Sequence, residues 1–207
     1  MARKCFEKLK KRYADARSTW STDTIIGEIF DLSDSNLKNQ YQINSYMHEL
    51  KSRGSDAIYK YYEKYAYRVI NEEVDIKHVN LHHALNEVLK LNEAEKIWNF
   101  VNILEQIAYD FGFRFDYNKC SKAMAKTGNA RFNNFWAECH PECNEANIEA
   151  VIASNDVNQI LNLLNNTINL SDDQIDRAVA LVKKSKDKKF KQELREILKD
   201  KYPTFGK

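Results

Sequence analysis

The chain has 207 residues, 30% of them charged, and only five glycines and two prolines interrupt it. So few turn formers exclude a domain of many tight β-turns and favour long helices. The formal charge of +2 hides blocks: residues 1–20 sum to +5, residues 132–182 to −7 and residues 183–207 to +6.

No apolar run of about eighteen residues is present, so no membrane span is expected. The opening MARKCFEKLKKRY is charged throughout and lacks the apolar centre of a secretory signal. Cys5, Cys120, Cys139 and Cys143 are therefore read as reduced thiols in a cytosolic setting.

Residues 2–17 pattern as a basic amphipathic helix, with Phe6, Leu9, Tyr13 and Ala16 on one face. Such a helix lies on a membrane, follows a nucleic-acid backbone, or docks on its own protein with its charges in water. Residues 21–35 look less regular around a short apolar piece, IIGEIF. Asp34 or Ser35 is placed to cap a helix running to Arg53, which Gly54 ends. Ser55 is placed to cap SDAIYKYYEKYAYRVI, with Ile58, Tyr62, Tyr65, Ala66, Val69 and Ile70 inward. Tyr59, Tyr61 and Tyr67 then face partly outward. There they are candidate interface anchors, since tyrosine offers a large contact area at low entropy cost.

An acidic loop over 71–76 precedes a helix expected from Lys77 to Leu91. The stretch from Asn92 to Gly112 is the most apolar and is read as the central core helix. Ile97, Val101, Leu104, Ala108 and Phe111 recur at steps of four and three, with Phe100, Ile103 and Ile107 beside them. Glu95, Asn99, Asn102 and Gln106 form the opposite strip. Asn92 with Glu95 reads as a capping box, and Gly112 as the stop. From Phe111 to Tyr117 the period changes to two, which predicts a short extended connection or a small β-ribbon. Short helices are expected over 119–126 and 130–139, then about 144–153, 156–166, 172–185 and 188–201. Short joints make these last four antiparallel neighbours.

The expected fold is all-α: a helical bundle around a central apolar helix, with a C-terminal set of short antiparallel helices. The coil from Cys139 to Asn144 is the expected joint. It separates an N-terminal helical domain, 1–140, from a short-helix region, 141–207, unless the two form one continuous domain.

No phosphate loop, dinucleotide fingerprint, nucleophile elbow or metalloprotease motif is present, so the chain is read as non-enzymatic and without a cofactor. Two metal-like spacings occur. His78 and His82 stand four apart, and Cys139 and Cys143 bracket a proline. The pairs lie too far apart in sequence to make a familiar zinc framework, and unrelated side chains account for them better. ARFNNFW interleaves Arg131 with Phe132, Phe135 and Trp136, which suits unstacked bases, but the same spacing buries a helix face.

The sequence thus points to a non-enzymatic protein-interaction or assembly subunit, with a protein partner or further copies of itself. Tyr59, Tyr61 and Tyr67 and the basic set Lys183, Lys184, Lys186, Lys188, Lys189 and Lys191 are its candidate contacts. Lysine outnumbers arginine 23 to 9, a bias usual in AT-rich genomes, which suggests a virion or phage structural adaptor, in a virion or the cytoplasm. The alternatives are a nucleic-acid-binding or regulatory helical protein using the basic termini, and a zinc-dependent protein of unknown activity.

Overall fold

A computed structural model describes residues 19–34, 40–167 and 169–205. Among them are eleven α-helices and no strand, so the fold is all-α. The predicted N-terminal amphipathic helix lies outside the described residues, as do Ser35 and Leu37. Packing divides the chain between Glu73 and Val74 into two units.

The first unit contains α1 (Thr22–Asp34), α2 (Gln40–Ser52) and α3 (Ser55–Ile70). Where the sequence predicts a less regular segment, α1 is a full helix of 13 residues. Ser21 caps it, its hydroxyl accepting from the Thr24 amide at 3.0 Å. Only Ile25, Ile26 and Ile29 are buried along it, too few for the sequence to show a periodic stripe. α2 buries Leu50 and ends where Gly54 takes a positive φ of 94°. Gly54, not Ser55, stands at the cap of α3, with no side-chain bond there. Ala57, Ile58, Tyr62, Ala66 and Val69 form the buried face of α3. Exposed charges tie α3 to α1: Lys60 and Lys64 reach Asp23 at 2.6 and 2.5 Å.

The second unit contains α4 (Leu81–Lys90), α5 (Ala94–Phe111), α6 (Tyr117–Lys126), α7 (Ala130–Cys139), α8 (Asn144–Ser154), α9 (Val157–Asn166), α10 (Asp172–Lys184) and α11 (Lys188–Lys201). The helix expected from Lys77 is broken. A 3-10 turn covers Ile76–His78, Val79 is extended, and Asn80 caps α4 by accepting from the His83 amide at 2.9 Å. Asn92 does not cap α5. It adopts a left-handed φ of 58° just beyond Leu91, so it closes α4, and Glu93 takes the capping position without a side-chain bond. Asparagine tolerates this conformation better than most residues, which is why it serves either end of a helix.

α5 buries Ala94, Ile97, Phe100, Val101, Ile103, Leu104 and Ile107, while its predicted polar strip is exposed. Ala108 is only half-buried, and Phe111 is exposed. Gly112 ends the helix in the left-handed region, φ 69°. The following segment is extended without being a ribbon: Phe113 and Phe115 are half-buried and Gly112, Arg114 and Asp116 exposed, as the period of two requires.

The last four helices begin and end within a residue of expectation. Ser171 and Gln174 complete a capping box on α10, and Asp187 caps α11. Ile148, Val151, Ile160, Leu164, Ile175, Val182, Leu194 and Leu198 share one core with Ala125 of α6. The coil at 139–144, the expected joint, therefore lies inside this unit. A second 3-10 turn, Pro141–Cys143, carries the chain from α7 into α8, and α8 packs along α6.

Candidate functional site

The predicted basic set forms one corner of the second unit. Lys183 and Lys184 close α10, Lys186 lies in the joint, and Lys188, Lys189 and Lys191 fall in the first turn of α11. All are exposed except Lys191, which is half-buried. Among the described residues none of them forms an ion pair. Position sharpens the effect. Lysines at a helix C-terminus complement the helix dipole, but those opening α11 oppose it, each by about 0.3–1 kcal/mol. The only acid in the joint, Asp187, is spent on the cap, accepting from the Lys189 amide at 2.8 Å.

Two acids of the acidic stretch find their cation on α10. Glu149 of α8 accepts from Arg177 Nη1 and Nη2 of α10 at 2.9 and 2.6 Å, and Arg177 Nε lies 2.8 Å from Asp173. Arg177 holds the Glu149 carboxyl below its ordinary range, and Glu149 in turn raises Arg177. Gln174, buried between them, donates to Glu145 at 2.8 Å. Arginine, not the lysine corner, thus answers these acids within the chain.

The three tyrosines of α3 have different surroundings. Tyr59 is half-buried and donates to Glu63 at 3.0 Å. Tyr61 packs into its own unit, stacked 5.6 Å from Phe30 and 5.9 Å from Tyr65, and burial pushes its hydroxyl up to about 12. Tyr67 is exposed and lines an open groove of about 410 Å³ between α1 and α3.

The metal-like spacings do not become a site. His78 sits in the 3-10 turn and His82 on α4, so they share no helix face, and both are exposed. His82 instead lies 4.8 Å from the Phe113 ring. Cys139 is exposed at the end of α7, whereas Cys143 is buried. Among the described residues no three His, Cys, Asp or Glu side chains gather as a metal would require.

What sequence reasoning missed is a buried polar relay. Trp136 Nε1 donates to Ser121 Oγ at 2.6 Å, Ser121 donates to Cys143 Sγ at 2.9 Å, and Cys143 donates to the His140 carbonyl at 3.3 Å. His140 is itself buried, with Nδ1 3.6 Å from Glu105 and 3.7 Å from Glu142. Its ring lies 4.3 Å from Trp136 and 5.2 Å from Tyr117. Burial first, then Glu105, pushes Tyr117 up to about 12, and burial raises Cys120 to about 12. A second relay runs from Asn147 to Asn133 to Gln159, each step 3.2 Å. The signal was available: Asn133 stands three residues before Trp136 on the inward face of α7. Among the described residues no buried side-chain nitrogen or oxygen lacks a partner, and satisfied relays of this kind fix the packing around them.

ARFNNFW divides the same way. Trp136 is fully buried and Phe132 half-buried, leaving Phe135 as its exposed ring, with the Arg131 guanidinium 5.8 Å from its centre. Among the described residues no helix is long and apolar enough to cross a membrane. Comparison of the chain with protein-family models, with curated proteins and with solved structures finds no match.

Proposed function

We propose that the protein is a non-enzymatic interaction or assembly subunit whose second unit engages an acidic protein surface through Lys183, Lys184, Lys186, Lys188, Lys189 and Lys191. The observation that carries this reading is that, among the described residues, no carboxylate pairs with that corner. Like charges crowded at the wrong end of a helix dipole lower stability, and an acidic partner relieves both terms at once. A nucleic-acid partner is the second reading, favoured by the exposed Phe135 under Arg131. It ranks lower because Phe135 is the one exposed ring that ARFNNFW keeps, and one ring makes a poor stacking platform. The corner also contains only lysine, where bidentate phosphate recognition favours arginine. The more specific setting, a virion or phage adaptor, rests on the lysine-rich composition.

The test replaces those lysines with glutamine. The wild-type chain should retain an acidic protein partner from its native source at low salt and release it as salt rises. The variant should retain none, while melting no lower than the wild type. Salt-sensitive, low-micromolar binding to generic DNA or RNA that the variant loses would replace this reading with the nucleic-acid one.

A further inference from the structure

The groove of the first unit is built around a guanidinium. Arg68 of α3 lies with its Cζ 4.6 Å above the Phe30 ring of α1. Its Nη2 donates to Asp34 Oδ2 at 2.6 Å and its Nε lies 3.5 Å from Glu73. The Arg68 side chain is only 14% exposed, whereas Asp34 and Glu73 keep 52% and 53% of theirs. An aromatic face flanked by carboxylates is the arrangement that recognises organic cations.

The groove has more of this chemistry than Arg68 consumes. Asp31, exposed on the wall, enters no hydrogen bond or ion pair among the described residues. Asp34 Oδ1 is left over by the Arg68 bond. The Tyr67 ring is 43% exposed and offers a second aromatic face beside them. The other cation of the wall, Lys64, is turned to Asp23 at 2.5 Å. The space, about 410 Å³, falls within the range of small-ligand sites.

We propose that this groove is a recognition site for the ammonium or guanidinium end of a basic ligand, seated on Tyr67 against Asp31 and Asp34 beside the resident Arg68. An anion would meet three carboxylates there and is disfavoured. The inference concerns the first unit alone and is independent of the lysine corner.

The experiment follows backbone amide shifts of the full chain during titration with putrescine, with an acetylated tetralysine amide, and with inorganic phosphate as the probe of opposite sign. Both cations should shift amides around Asp31, Asp34 and Tyr67, with binding weakened by salt. Asp31→Asn should weaken it about two- to fivefold, the size of one solvent-exposed ion pair. Tyr67→Ala should weaken it further. Both substitutions fall on exposed side chains, so folding is retained and checked by the undisturbed amides of α2, in the same unit but outside the groove. Tighter binding of tetralysine than of putrescine identifies a basic protein segment as the source, and equal binding a free polyamine. No shift at those amides, shifts caused by phosphate and not by the cations, or shifts unchanged in both variants would overturn the proposal.

Discussion

Ser121 is the one hydroxyl that lets Trp136 be buried whole. An indole N–H is a donor only, and a thiol is a weak partner, so the relay needs a group that both accepts and donates at its centre. Ser121→Ala removes it and leaves the Trp136 N–H, which is fully buried, without its acceptor. The expected loss is about 1–3 kcal/mol, the desolvation cost of an unsatisfied donor, seen as a lower urea midpoint with unchanged slope. Groups held neutral by burial set the alkaline limit, Tyr202 among them. Cys120, Tyr61 and Tyr117 are each held neutral to about 12, from ordinary values of 9.0, 10.0 and 10.0. The folded chain therefore keeps protons that the unfolded chain releases. Their contribution is complete below pH 9 and is lost as pH rises through 9 and 10 toward 12. Thermal melts across that window should fall steadily, and Cys120→Ala should delay the onset by removing the first group to titrate.

Among the elements, α5 shows how a strong stripe makes a helix legible while its ends stay open. Leu104 is fully buried midway along it, and Leu104→Ala should cost about 2–5 kcal/mol through the cavity it leaves. A urea midpoint near that of the wild type would show that α5 is not the core helix of its unit. The start of α5 misled the sequence reading because Asn92 suits two jobs: side-chain cap of the next helix or left-handed end of the last. Ser171 with Gln174 carries no such ambiguity, since serine is a poor left-handed residue, and the box formed as read. α1 is hard to see in the sequence for the opposite reason, because only three isoleucines are buried along it.

For the whole molecule, packing across the chain decides which helices belong together. Removing residues 183–207 cannot serve as a clean test of the basic corner, because Leu194, Ile197 and Leu198 of α11 belong to the core of the second unit. That deletion should abolish cooperative unfolding, whereas glutamine at the six lysines should not. Residues 74–207, which contain both α5 and the C-terminal core, should fold alone as one cooperative unit with helical circular dichroism. A non-cooperative melt of that fragment would show that the division between Glu73 and Val74 is not a folding boundary.

By itself the sequence determined the all-α class, the central stripe of α5, the turn glycines and the last four helices. These are local matters: a 3.6-residue period, a capping side chain and a short joint act within a turn or two. The corner lysines were also legible as a charge block, though not that they stay unpaired among the described residues. Only the tertiary structure decided that His78 and His82 part company and that Tyr61 packs half-buried against Phe30 and Tyr65. It alone turned Trp136 inward and placed the coil at 139–144 within one packed unit. Those outcomes depend on which distant side chains arrive to cover a face or accept a bond. Asp34, Phe30 and Glu73 were ordinary positions on separate elements until packing set them around Arg68.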